Sequence, residues 1–162
     1  MARRQRKPVQ PGEFEDPLSN YDPPDYADQF ERVLSETKVA AMDIKPFITT
    51  EPTTTIGEAI KLMANSDFFC LLVTENDRLI GIVSERDILN RVAEQLDEVR
   101  DKPLRDIMTP DPVVVYETDS PAKAINLMAV GNFRRIPVLG VDDKPIGILG
   151  PKRVTRFIQQ YL

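Results

Sequence analysis

Apolar residues fall along this chain in a fixed order of rhythms, and that order occurs twice. A short extended stretch, Phe47–Thr50, leads into a polar turn, after which Ile56, Ala59, Ile60 and Met63 recur at the spacing of one helix face. Two apolar runs follow, Phe69–Thr74 and Leu79–Val83, split by the polar residues Glu75–Arg78; this is the pattern of two strands joined by a turn. Residues Glu85–Leu96 then return to helical character. The second passage has an extended Val113–Tyr116 and a helix with Ala124, Ile125 and Met128 inward. Strands at Ile136–Leu139 and Ile146–Leu149 flank a turn at Val141–Lys144, and a helix at Pro151–Tyr161 closes the unit.

The two passages align residue by residue. At a shift of 65 positions Thr53, Ala59, Ile60, Leu62, Met63, Ala64, Phe68 and Val73 fall on Thr118, Ala124, Ile125, Leu127, Met128, Ala129, Phe133 and Val138. After one inserted residue, Asp77, Ile80, Gly81 and Ile82 fall on Asp143, Ile146, Gly147 and Ile148. This is an internal repeat. One β-α-β-β-α unit of this size has a small core, so the two copies are expected to pack on each other.

Ahead of the repeats, residues 1–24 hold Pro8, Pro11, Pro17, Pro23 and Pro24 among charges and small polar groups, and predict a flexible tail. Asp25 is positioned to cap a helix over 25–37 in which Tyr26, Phe30, Val33 and Leu34 form an apolar stripe. The stripe packs either on its own domain or on a partner. The organisation expected is therefore a tail (1–24), a helix (25–37), a first repeat (38–100) and a second (101–162).

Composition narrows the chemistry. The 162 residues are 41% hydrophobic, enough for a packed interior, and no apolar run approaches the roughly 20 residues that span a bilayer. The N-terminal basic run is not followed by an apolar stretch, so it is not a secretory signal. A single cysteine, Cys70, rules out an intrachain disulfide and fits a reducing compartment, with the cytoplasm expected. With no histidine, Ser–His–Asp and Cys–His catalysis and histidine metal sites are excluded. The net charge of −5 resides in the body of the chain and argues against general nucleic-acid binding, because that binding depends on cations neutralising phosphates.

Three stretches carry a family likeness: Gly81-Ile82-Val83-Ser84-Glu85-Arg86-Asp87, Asp106-Ile107-Met108-Thr109-Pro110 and Arg134-Arg135-Ile136-Pro137-Val138. In their order, spacing and duplication they resemble the CBS-domain family in its paired form, the Bateman module, over roughly residues 38–160. The resemblance implies an α/β (α+β) fold, in which two β-α-β-β-α repeats pack with pseudo-twofold symmetry around two clefts. It also implies regulatory binding of adenosine derivatives and homodimerisation.

Ser84-x-x-Asp87 lies at a strand-to-helix junction, where it is also close to a capping box. The second copy has Gly150-Pro151-Lys152-Arg153 at that place, which also starts a helix, so the fold does not demand the Ser and Asp. A helix N-terminus favours phosphate, Ser84 adds a hydroxyl and Arg86 a charge, and an acidic side chain such as Asp87 can accept both hydroxyls of a ribose. Carried over from the family, Ile82, Ser84, Arg86 and Asp87 would face Pro112, Val113, Phe133, Arg134 and Arg135. Ile82, Pro112, Val113 and Phe133 would wall an adenine, and Arg134 and Arg135 would meet phosphates. The opposite cleft would join Ile148, Gly150, Lys152 and Arg153 to Phe47, Ile48, Phe68, Phe69 and Cys70. It lacks the ribose carboxylate, so an adenine nucleotide is not expected there in the usual way. Cys70 reads as a small buried apolar residue rather than a redox sensor.

The expected function is a non-catalytic sensor of AMP, ADP or ATP in one cleft, acting on an unidentified partner, with no catalytic residues, metal, nucleic acid or membrane involved. The alternatives are a structural dimerisation module with a vestigial site, and a sensor of another adenosyl ligand such as NAD(H) or S-adenosylmethionine. An enzyme and a nucleic-acid adaptor using Arg3-Arg4-Gln5-Arg6-Lys7 are the more distant classes.

Overall fold

The computed structural model describes residues 24–65 and 69–161. The proline-rich segment up to residue 23 lies outside the described residues. The first helix, α1 (Gln29–Glu36), starts later than its apolar stripe predicts. Its N-cap is Asp28 rather than Asp25. The Asp28 carboxylate accepts the Glu31 N–H (2.8 Å), while Glu31 Oε2 accepts the Ala27 N–H (2.6 Å). That reciprocal pair fixes the start and leaves Tyr26 outside the helix. Val33 and Leu34 pack against the core of the second repeat, so that half of the stripe finds its partner within the chain.

The first repeat contributes β1 (Thr49–Thr50), α2 (Ile56–Ala64), β2 (Cys70–Glu75), β3 (Arg78–Ser84) and α3 (Glu85–Arg91). A 3₁₀ turn at Ala93–Gln95 and the short α4 (Leu96–Val99) follow, where the sequence predicted one continuous helix to Leu96. The second repeat begins with β4 (Thr109–Pro110) and β5 (Val115–Tyr116), then α5 (Pro121–Gly131), β6 (Ile136–Leu139), β7 (Pro145–Leu149) and α6 (Pro151–Gln159). Helix α2 is held at its start by a Thr55–Glu58 capping box and buries Ile56, Ala59 and Met63, three of the four inward positions its spacing predicts.

Strands β1-β2-β3-β4 form one sheet and β5-β6-β7 another. In each repeat a parallel first pair (Thr49 opposite Leu72; Val115 opposite Val138) leads into an antiparallel hairpin. Both hairpin turns use left-handed polar residues, Asn76 and Asp77 in one and Asp143 in the other. Among the described residues no helix is long and apolar enough to cross a membrane.

The repeats exchange their leading segments. Val39, Met42 and Ile44, which open the first repeat, are buried in the core of the second with Val115, Ile136, Val138 and Phe157. Leu104 and Ile107, which open the second, are buried in the core of the first with Ile56, Leu71, Val73 and Val83. The backbone hydrogen bonds docking the two segments match at the 65-residue offset. Val39 N–H donates to Asp119 O (2.7 Å), as Leu104 N–H does to Thr54 O (2.9 Å); Ala40 N–H donates to Glu117 O (3.0 Å), as Arg105 N–H does to Pro52 O (3.1 Å). This is pseudo-twofold symmetry expressed in backbone pairing. Where the sheets meet, Cys70, Leu72, Ile82 and Ile148 form a third buried cluster with Phe47 and Leu79 against it. On either side of that cluster lies a cleft.

Candidate functional site

The first cleft, about 330 Å³, opens where α3 leaves β3. Ile82, Ser84, Glu85, Arg86 and Asp87 line it from the first repeat, and Asn132, Phe133, Arg134 and Arg135 from the second. Thr109 and Phe69 complete the wall. The fold thus gathers Ile82, Ser84, Arg86, Asp87, Phe133, Arg134 and Arg135 at one place. Pro112 and Val113 are not among the lining residues. Strand β4 ends at Pro110, opposite Gly81, and Asp111 turns left-handed (φ 44°), so from this segment Thr109 lines the cleft. Asn132 is the other residue that sequence reasoning did not assign. Its signal was the Gly131-Asn132 helix stop, since Asn tolerates the left-handed conformation (φ 54°) that ends α5.

Ser84 and Asp87 do form a capping box. Asp87 Oδ2 accepts the Ser84 N–H (2.8 Å) and the Ser84 hydroxyl (2.6 Å), while the Asp87 N–H points back to Ser84 Oγ (3.4 Å). Only one carboxylate oxygen is used in this way. Oδ1 makes a long ion pair with Arg91 Nε (3.8 Å), beyond hydrogen-bond distance. Arg91 in turn donates through Nη1 to Ile107 O (2.8 Å), tying α3 to the exchanged segment that carries Thr109. Capping and ligand binding are therefore compatible in one side chain.

The cations differ in how they are held. Arg86 and Arg134 are exposed and have no carboxylate partner among the described residues. Arg135 donates through Nη1 to Arg134 O (2.7 Å), and its guanidinium stacks 5.3 Å from the Phe69 ring centroid, a cation–π arrangement. It lines both clefts, as Phe69 does, and so does not belong to the first alone. Gly150 makes room for it, because a Cβ there would come within 3.1 Å of Arg135 Nη1.

The second cleft, about 450 Å³, brings Phe69 and Cys70 to Ile148, Gly150, Lys152 and Arg153. Phe47 and Ile48 do not line it: Phe47 packs on the cluster between the sheets and Ile48 on the core of the first repeat. Phe68 lies outside the described residues. Asp43, Lys45, Pro46 and Arg156, from the exchanged segment and α6, enter instead. Arg153, at the alignment position of Asp87, reaches across to two backbone carbonyls, Ile148 O (2.7 Å) and Pro46 O (2.5 Å). Burial holds its pKa below the ordinary guanidinium value, and the charges of Arg156 and Arg135 push the same way against Asp43.

Cys70 is 7% exposed, and burial pushes its thiol up to about 11, outweighing the attraction of Arg135. At pH 8 that leaves roughly one thiol in a thousand ionised, against about a quarter for a free cysteine. Alkylation of the native protein is therefore expected to run on the order of a hundredfold slower than that of free cysteine, and to reach the free rate in denaturant. Iodoacetamide labelling followed by mass spectrometry checks this; rapid native labelling would show that the junction between the sheets opens.

The sequence model of the CBS domain matches residues 39–94 and 104–160. Among curated proteins, the chain is 32% identical over 123 residues to inosine-5'-monophosphate dehydrogenase of Methanocaldococcus jannaschii, covering 75% of this chain and 24% of the dehydrogenase. It is 33% identical over 133 residues to an uncharacterized protein of Methanopyrus kandleri, covering 81% of this chain and 65% of that one. It thus spans less than two thirds of either relative's length. Among solved structures, the complex of Arabidopsis thaliana CBSX2 with AMP superposes with a TM-score of 0.66 at 30% identity, covering 76% of this chain and 97% of CBSX2.

Proposed function

The chain belongs to the CBS-domain family as a tandem pair, and from that premise we propose that it senses an adenine nucleotide, AMP, ADP or ATP, in the first cleft. The carrying observation is the meeting there of a carboxylate, Asp87, whose Oδ1 accepts no hydrogen bond and makes only a long ion pair with Arg91 (3.8 Å), and two guanidinium groups without carboxylate partners among the described residues, Arg86 and Arg134. A carboxylate accepts from ribose hydroxyls, and guanidinium forks bind phosphate oxygens. Ile82 and Phe133 supply apolar wall for the base. The AMP held by CBSX2 lends support. The reading is non-catalytic and extends to a homodimer and to a regulated partner protein. Leu89 and Val130, exposed at 69% and 82%, are apolar surface that such contacts would cover.

A ligand in this cleft touches both repeats, so it favours whichever arrangement of them binds it better. At a hundredfold excess over Kd it adds about 2.7 kcal/mol of stability. Titration calorimetry with AMP, ADP, ATP, NADH and S-adenosylmethionine is the test. One site per chain is expected, with the adenosine phosphates binding more tightly than S-adenosylmethionine, which has no phosphate for the arginines. Absence of heat with all five would leave a structural dimerisation module.

A further inference from the structure

The second cleft is basic in an acidic protein, and the nucleotide reading gives that charge no task. Five cationic side chains, Lys45, Arg135, Lys152, Arg153 and Arg156, line it against one carboxylate, Asp43. Only Arg156 is paired with that carboxylate (2.6 Å). Arg135 and Arg153 spend hydrogen bonds on backbone carbonyls and have no carboxylate ion-pair partner among the described residues. Lys45 and Lys152 are exposed, with no carboxylate partner among the described residues. Cations gathered in a concave site repel one another unless an anion joins them.

We propose that the second cleft is a binding site for phosphate groups without a nucleoside, of the size of an inorganic diphosphate. The exclusion of the nucleoside follows from Arg153. A guanidinium has no acceptor for ribose hydroxyls, and the one carboxylate in the cleft is already paired with Arg156. The phosphates have two sources. They arrive as free diphosphate, or as the distal end of a nucleotide seated in the first cleft, since the stacked Arg135 and Phe69 line both clefts and make them neighbours. The second source rests on the nucleotide reading; the first does not.

The experiment is titration calorimetry of the full chain at low ionic strength with inorganic diphosphate, AMP and ATP. The variants are Lys45→Glu and Lys152→Glu, whose exposed side chains make no hydrogen bond among the described residues, with Lys61→Glu on α2 as a remote control. Diphosphate is expected to bind the native chain once, about tenfold more weakly after either reversal, and unchanged in Lys61→Glu. For the nucleotide source, ATP binds more tightly than AMP, and Lys152→Glu removes that surplus while leaving AMP unchanged. The proposal is overturned if diphosphate gives no heat and ATP holds no surplus over AMP. It is equally overturned if Lys61→Glu weakens binding as much as Lys152→Glu. Diphosphate heat without heat from either AMP or ATP would end the nucleotide reading alone, and AMP heat without either phosphate effect would end this one alone.

Discussion

Asp87→Asn is expected to weaken AMP binding by roughly ten- to a hundredfold while leaving most of the stability of the protein in place. The prediction follows from the division of labour between the two carboxylate oxygens. Oδ2 caps α3 by accepting from Ser84, while Oδ1 accepts no hydrogen bond and has only the long ion pair with Arg91 (3.8 Å), which a ligand hydroxyl can supplement. Asparagine keeps an acceptor for the Ser84 N–H and so keeps most of the cap. What it loses is the charge and the second acceptor, and hydrogen bonds to charged groups are worth about 1.5–3 kcal/mol. Asp87→Ala removes both functions at once. It is expected to abolish detectable AMP heat and also to lower stability by about 1 kcal/mol through the lost cap. Calorimetry gives the affinity, and denaturant melts without ligand give the stability. Equal AMP affinity in native protein and Asp87→Asn would reduce Asp87 to a capping residue and remove the ribose from the proposed site.

These two roles also show what could be read from the chain and what could not. The repeat was legible because side-chain periodicity and turn chemistry are local, and the 65-residue register reappears in the backbone pairing of Val39 and Leu104. The exchange of leading segments was not legible. Apolar residues such as Val39, Met42 and Ile44 announce that they will be buried, but their pattern carries no sign of which core receives them. The first cleft was legible through Ser84-x-x-Asp87 and Arg134-Arg135. Its wall was drawn too far along the chain at Pro112 and Val113, because the left-handed turn at Asp111 depends on where β4 stops pairing. In the second cleft Lys152 and Arg153 were legible, but the rest of its charged lining was not. Lys45 and Asp43 sit far from Lys152 and Arg153 in sequence, and the exchanged segment alone brings them together.

Gly147→Ala is the substitution expected to damage the fold most for its size, because it strikes that exchange directly. A Cβ at residue 147 would lie 2.6 Å from Ile44 Cβ and 2.7 Å from Ile44 O. Neither atom is the tip of a flexible side chain, and Ile44 O also accepts the N–H of Ile148 (2.9 Å). The exchanged segment must therefore move away from β7, loosening Val39, Met42 and Ile44 in the core of the second repeat. Overpacking of this kind costs about 3 kcal/mol, near the upper end of its usual range. That corresponds to a fall in Tm of roughly 6–12 °C for a chain of this length. Gly81, its counterpart in the first repeat, provides the control. There the closest atom is the sulfur of Met108 at 2.5 Å, on a side chain able to swing aside, with Thr109 O at 3.2 Å. Gly81→Ala should therefore lose only about 1 kcal/mol. Since Thr109 lines the first cleft, its main effect should be on AMP affinity. Thermal and denaturant melts of both variants, each with and without AMP, separate the two expectations. Equal losses of stability would mean that close approach to the exchanged segment does not decide the cost. A larger loss for Gly147→Ala, with the binding defect confined to Gly81→Ala, would tie the exchange in one repeat to stability and in the other to the ligand.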